Sequence, residues 1–248
     1  MLEHRIALEI CVDSPAGIAA AVAGGADRLE LCDALETGGL TPSPGLVRHG
    51  LESGRAAHAM IRPRTGGFVY DEDELAAMLV DAAALRDAGV TGVVIGAAKR
   101  DGTLDLDAIA RLRDEAGPGM KVVLHRVIDL VPDRLAAVDQ ACALGLDGIL
   151  SSGGALGAPD GAEMLARMVR VAGDRLWIMA GAGVRADNVR ALVEATGVVN
   201  VHGSASKQVG AIDPDLARLG FQSVAPRTTD RDEVARIRAI LDSMGAAR

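Results

Sequence analysis

An alternating α/β chain closed into one (β/α)8 barrel is the fold class this sequence predicts. Three observations predict it. The length, 248 residues, matches the roughly 250 that such a barrel fills as a single domain. Short apolar strands alternate with Ala-rich helical stretches along the whole chain. Glycines recur where helices should end and strands begin, at Gly24-Gly25, Gly89, Gly145 and Gly197, because Gly tolerates the left-handed conformation of a helix C-terminus.

Taken in order, a strand over 6–12 alternates Ile6, Leu8, Ile10 and Val12 with Ala7, Glu9, Cys11 and then Asp13. Period-two alternation sends the two sets to opposite faces. Asp13-Ser14-Pro15 starts a helix over 15–23, which Gly24-Gly25 ends. A strand over 27–32 repeats the Glu-x-Cys pattern with Glu30 and Cys32 and leads to a helix over 44–53. The strand 57–62 precedes the helix 72–88, and 92–96 precedes 106–115. The strand 121–125 precedes 133–143, and 148–152 precedes 160–171. The strands 175–180 and 198–202, with helices over 186–195 and 231–243, complete eight pairs. The stretch 210–229, with Pro214 and Pro226, lacks periodicity; it is expected to hold a short extra helix or to pack over the last strand, within a single domain spanning 1–248. An open doubly wound sheet is the alternative, but it wants a Gly-rich turn where Asp13-Ser14-Pro15 stands.

Composition narrows the function. A formal net charge of -8 argues against nucleic-acid binding, which rests on clustered Lys and Arg. No apolar run approaches the ~20 residues of a membrane span. Met1-Leu2-Glu3-His4-Arg5 runs straight into a strand, leaving no room for a signal peptide and predicting a cytoplasmic protein. Three widely spaced cysteines do not form a secreted disulfide framework and leave reduced thiols for metal or chemistry.

In a parallel barrel the outer face of each strand packs on helices, so the polar set points inward and chemistry belongs at the strand C-terminal ends. Those ends offer Glu9, Cys11 and Asp13; Glu30 and Cys32; Arg62 and Arg64; His125, Arg126 and Asp129; Ser151 and Ser152; and Asn200, His202 and Ser204. Buried carboxylates are costly unless paired, so Glu9 and Glu30 are expected to face Arg62, Arg28 or a histidine, in a structural ion network or a functional site.

The strings LEICVDS (8–14), GGADRLELCDALETGGLTPSPGL (24–46), IRPRTGGFVY (61–70), HRVID (125–129), ILSSGG (149–154), GAGV (181–184) and VHGSA (201–205) together resemble the CutC family, named for copper homeostasis. The resemblance runs in order from about Ala7 to Lys207. It implies a TIM barrel, a homodimer, a cytosolic location and a link to copper. The chain departs from the family pattern at Ala180 and Ala182, at Ile128, and at Asn200 where a Glu is common, which weakens any mechanism needing a carboxylate on the last strand.

Two functional readings follow. Cu(I) is soft and accepts two thiolates, and Cys11 and Cys32 share inward parity on strands about 4.8 Å apart. The alternative is a lyase, isomerase or hydrolase acting on a small anionic, for example phosphorylated, substrate. Its reacting groups are His125 as general acid or base with Glu9 or Glu30 as partner, and His202 as a second candidate. Gly181 and Gly183 in one loop, Ser204 and Ser206 in the next, and Arg62 and Arg64 in the RPR turn would bind the anion. Asp13, Glu30 and His125 are a further set able to hold a divalent ion. Cys142, Met60 and Met179 read as packing, and His4, His49 and His58 as surface or structural. No nucleotide cofactor is implied, and Schiff-base chemistry finds no suitable lysine.

Overall fold

Eight parallel strands close into a barrel in the computed structural model, which describes residues 5–245. The strands are β1 (Ala7–Val12), β2 (Arg28–Leu31), β3 (Ala56–Met60), β4 (Gly92–Ile95), β5 (Lys121–Leu124), β6 (Gly148–Ser151), β7 (Trp177–Ala180) and β8 (Asn200–Gly203). Between them run α1 (Pro15–Ala23), α2 (Pro44–Glu52), α3 (Glu72–Ala88), α4 (Leu106–Ala116), α5 (Arg134–Ala143), α6 (Ala162–Ala172) and α7 (Val189–Thr196). The ring closes where β1 pairs with β8. Local chemistry starts the helices as expected: Ser14 accepts a hydrogen bond from the Gly17 N–H, with Pro15 at the first position, and Asp71 with Glu74 forms a reciprocal cap on α3.

After β8 the chain makes an excursion before its last helix. Here β9 (Ser206–Gln208) and β10 (Arg227–Thr229) pair antiparallel, with α8 (Pro214–Arg218) between them, and α9 (Arg231–Gly245) then packs back on α1 and α7. Val209, Leu219 and Phe221 are exposed on this excursion, so the core lies in the barrel.

The period-two reading places the core correctly. Leu8, Ile10 and Val12 face outward into the apolar layer between strands and helices. A second, smaller apolar cluster of Cys32, Met60, Val94, Val123, Leu150 and Met179 fills the barrel itself. Interior residues of alternate strands form layers across such a barrel. The pairing register here puts Arg28, Gly92, Gly148 and Asn200 lowest, then Glu9, His58, Val123 and Met179. Glu30, Val94, Leu150 and His202 come next, with Cys11, Met60 and His125 above them. The three lower layers of the interior are therefore split, polar on the side of β8, β1, β2 and β3 and apolar on the side of β4 to β7.

Small residues make room for the rings inside. A Cβ on Gly92 would lie 2.6 Å from His58 Cδ2, one on Gly96 would lie 2.5 Å from His125 Cε1, and one on Gly148 would lie 2.4 Å from the Trp177 ring. Three large rings thus fit a narrow barrel because the neighbouring strand presents hydrogen in place of a side chain. Among the described residues, no helix is long and apolar enough to cross a membrane. His4 lies outside the described residues.

Candidate functional site

Glu9 is the hub of the buried polar side. Its carboxylate is fully buried and reaches one arginine and two histidines. Oε2 accepts from Arg28 Nε at 2.5 Å, and Oε1 lies 2.9 Å from His202 Nδ1. His58 Nδ1 sits 3.3 Å from Oε2, close enough for Coulomb attraction but off the line of a hydrogen bond. Burial alone would raise the Glu9 carboxyl, yet the Arg28 charge and the two histidines hold it well below its ordinary value. Arg28 also lies 5.3 Å over the Trp177 ring, which anchors its far side. The expectation that Glu9 and Glu30 face Arg62, Arg28 or a histidine holds for Arg28 and the histidines and is corrected for Arg62, which, like Arg64, leaves the barrel for the loop above β3.

One layer up, Glu30 and His202 face one another, Nε2 to Oε2, at 3.7 Å. Cys11, Glu30 and His202 each offer a ligand atom within 4.8 Å of the others, and all three are buried. Cys32 approaches from above and donates to Glu30 Oε2 at 3.5 Å. The second carboxylate oxygen, Oε1, has no partner. Burial, with the Glu9 charge nearby, pushes Glu30 up to about 7, partly offset by His202. Burial would lower the His202 imidazole, but the Cys11 sulfur and the two carboxylates hold it well above its ordinary value. Burial and Glu30 push the Cys32 thiol up. The structure thus brings Cys11 to Glu30 and His202, with Cys32 beside Glu30. Asp13 is exposed on the surface and takes no part, so the set Asp13, Glu30 and His125 is not assembled.

At the barrel mouth, His125 caps the 3-10 turn Arg126–Leu130, its Nδ1 accepting from the Val127 N–H at 3.1 Å. This corrects the expected Glu9 or Glu30 partnership, since both carboxylates lie below His125 and serve other groups. Arg62 donates to the carbonyls of Thr37, Gly39 and Gly66 at 2.8–3.0 Å, tying the loops after β2 and β3 together. Arg64 pairs with Glu74 on α3.

Asp129 organises the next strand end. It accepts from Ser151 Oγ at 2.6 Å, from Ser152 Oγ at 2.8 Å, from the Gly154 N–H at 2.9 Å and from Arg126 Nε at 2.9 Å. Burial alone would raise its carboxyl; these donors outweigh it and hold the group below its ordinary value. A carboxyl depressed by folding adds stability that is present above its unfolded value and lost as pH falls through the folded one. Asp129→Asn is therefore expected to cost about 2 kcal/mol at neutral pH, with the difference from wild type shrinking as pH falls below the ordinary Asp value. Urea unfolding across that range checks it; a pH-independent difference would assign the loss to packing.

The loops after β7 and β8 meet near Ser206. Ser204 Oγ lies 3.1 Å from Ser206 Oγ, and Arg227 Nε donates to that oxygen at 3.0 Å. Arg185 Nη1 and Arg227 Nη2 both donate to the Ser206 carbonyl, each at 2.9 Å. Gly181 N–H pairs with Ser151 O, and the Gly183 carbonyl accepts from Asn188. Among the described residues, Ala34 at 48°, Ala182 at 73° and Ala205 at 45° adopt positive φ. Each follows the C-terminal end of a strand, and such strain gathers at functional ends. Two hollows lie elsewhere. One of about 480 Å³ opens at the N-terminal ends of β5 to β8, and a groove of about 650 Å³ runs between α2 and α3. Neither contains the clustered groups.

Sequence reasoning named Arg28 only as a possible partner of the carboxylates, set His58 aside as surface or structural, and missed Arg185 and Arg227. The signal for the first two was present, since Arg28 shares parity with Glu30, and His58 with Met60. Arg185 comes from the loop after β7 and Arg227 from the start of β10, both in stretches without periodicity.

These features define a (β/α)8 barrel whose interior holds a buried thiol–imidazole–carboxylate cluster and whose mouth is lined with arginines. The family model for the CutC family matches residues 6–207, and the chain belongs to that family. A CutC family protein of Caulobacter vibrioides is 47% identical over 242 residues, covering 97% of this chain and 98% of the relative. One of Rhizobium meliloti is 45% identical over 242 residues, covering 98% of each. The solved CutC structure of Streptococcus agalactiae superposes with a TM-score of 0.76 at 31% identity, covering 80% of this chain and 98% of that one.

Proposed function

We propose that the chain binds a soft metal ion in the barrel interior, as cargo, through Cys11, His202 and Glu30. The carrying observation is the convergence of their ligand atoms within 4.8 Å in a buried space. Two further features support the fit. Glu9 engages His202 Nδ1 at 2.9 Å, which leaves Nε2 facing the other two donors, the arrangement in which a carboxylate orients a ligating imidazole. Glu30 Oε1 is buried without a partner. A thiolate and an imidazole suit Cu(I), while the added carboxylate also suits Zn(II). The Streptococcus agalactiae relative carries a suggested copper homeostasis role in its name, and we take Cu(I) as the ion. Cys32, held against Glu30, is a reserve thiol that would replace the carboxylate in a two-sulfur complex.

Anaerobic titration of Cu(I) against a competing chelator tests this, with Zn(II) in parallel. One-to-one binding should weaken at least about 100-fold in Cys11→Ser, as expected when a ligand and not merely its support is lost, and less in Cys32→Ser. Binding that is absent from wild type, or unchanged in Cys11→Ser, would end the proposal.

A second reading rests on the arginines at Ser206. Arg185 and Arg227 converge on the loops that follow β7 and β8, beside the strained Ala182 and Ala205. An enzyme acting on a small anionic, for example phosphorylated, substrate would hold its anion there. Inorganic phosphate should then bind saturably in wild type and at least about ten-fold more weakly in Arg227→Gln. Equal binding in both would remove this reading.

A further inference from the structure

We propose that His125 and Arg62 form a binding site for a small carboxylate at the mouth of the barrel, walled by Phe68. The inference stands apart from the metal reading, because neither residue is among the donors named there.

The tautomer of His125 is set by its own backbone. Because Nδ1 accepts the Val127 N–H at 3.1 Å, that nitrogen carries a lone pair, and the ring proton of the neutral imidazole must sit on Nε2. His125 is 3% exposed, and Nε2 has no partner among the described residues. A buried N–H donor without an acceptor costs on the order of 1–3 kcal/mol, so a built protein rarely keeps one idle. Burial and the nearby Arg62 charge hold the imidazole down at about 3. It therefore stays neutral at physiological pH and is a donor, not a general base.

Arg62 supplies the charge. It is 5% exposed, and its two Nη atoms are taken by the Thr37, Gly39 and Gly66 carbonyls. Nε has no partner, and among the described residues no carboxylate lies within ion-pair distance of the guanidinium. A buried cation without a counter-ion calls for an anion. The Phe68 ring joins the two groups, with its centroid 4.8 Å from that of His125 and 5.1 Å from Arg62 Cζ. That ring would exclude water from a bound ligand and strengthen both contacts.

Two single N–H donors and one net positive charge match the two oxygens and single negative charge of a carboxylate. A phosphate dianion would leave charge and acceptors unmet. The match also separates this site from the arginine pair at Ser206, on the far side of the mouth.

Metal-free, isotope-labelled protein titrated with sodium acetate, and followed by NMR of the His125 ring and Arg62 Nε–H, tests the proposal. The free protein should show the Nε2–H tautomer, and both resonances should move saturably with acetate but not with sodium chloride. His125→Asn keeps an oxygen able to cap the Val127 N–H but loses the distal donor, and should weaken acetate binding about ten-fold or more. An Nδ1–H tautomer in wild type would overturn the proposal without recourse to any variant. So would the lack of a saturable acetate shift, a chloride response of equal size, tighter binding of inorganic phosphate at the same resonances, or unchanged acetate affinity in folded His125→Asn.

Discussion

Glu9→Gln is expected to lower the stability of the fold by about 3–5 kcal/mol, a drop in Tm of roughly 10 °C for a domain of this size. The magnitude follows from what the substitution leaves behind. Glu9 is fully buried and is the anion that Arg28 and His202 both contact, with His58 nearby. Gln keeps the shape and one acceptor oxygen, but it removes the charge and turns an amide N–H₂ toward a cation. Arg28 retains only its position over Trp177 and a contact to Met179 Sδ at 3.5 Å. The Glu9→Gln/Arg28→Met double variant removes the orphaned cation as well, and should be less destabilised than the sum of the two single variants by about 1–3 kcal/mol. Denaturant unfolding of all four proteins gives the coupling directly. Strict additivity would mean that Arg28 finds other compensation and that Glu9 is not the hub.

The barrel was legible because its signals are local. Gly24-Gly25, Gly89, Gly145 and Gly197 mark helix ends by the conformation they permit, and the alternation in Ile6 to Val12 reports which face meets the helices. Glu9, Glu30, Cys11 and His202 were legible for the same reason, since parity alone sends them inward. Parity does not give height. Attention to the strand C-terminal ends set His58 aside and left Arg28 one option among several, although both lie in the two lowest layers and meet Glu9 because Glu9 is itself low in the barrel. The role of His125 was hidden for a different reason. Its decisive contact is a backbone N–H two residues on, inside a 3-10 turn that leaves no periodic mark. Arg185 and Arg227 reach Ser206 from segments separated by the whole excursion after β8, and only the antiparallel pairing of β9 and β10 brings them together.

Gly161→Ala should be among the most damaging single substitutions available, costing about 4 kcal/mol or more. Gly161 caps α6 without any side-chain hydrogen bond, although a Ser or Asp there would ordinarily add about 1 kcal/mol. Its φ of -97° suits any residue, so conformation does not explain the glycine. Space does. A Cβ would lie 1.9 Å from the Ser152 carbonyl oxygen and 3.1 Å from Gly153 Cα, where two backbone segments cross and no side chain can swing aside. Displacing Ser152 would also pull its N–H and hydroxyl from Asp129, loosening the loop that holds Arg126 at the barrel mouth. Gly67→Ala is the control, because no atom lies within 4 Å of its Cβ position, and it should change stability by no more than about 0.5 kcal/mol. If urea unfolding places Gly161→Ala within 1 kcal/mol of wild type, the crossing is slack, and the Asp129 network cannot owe its geometry to it.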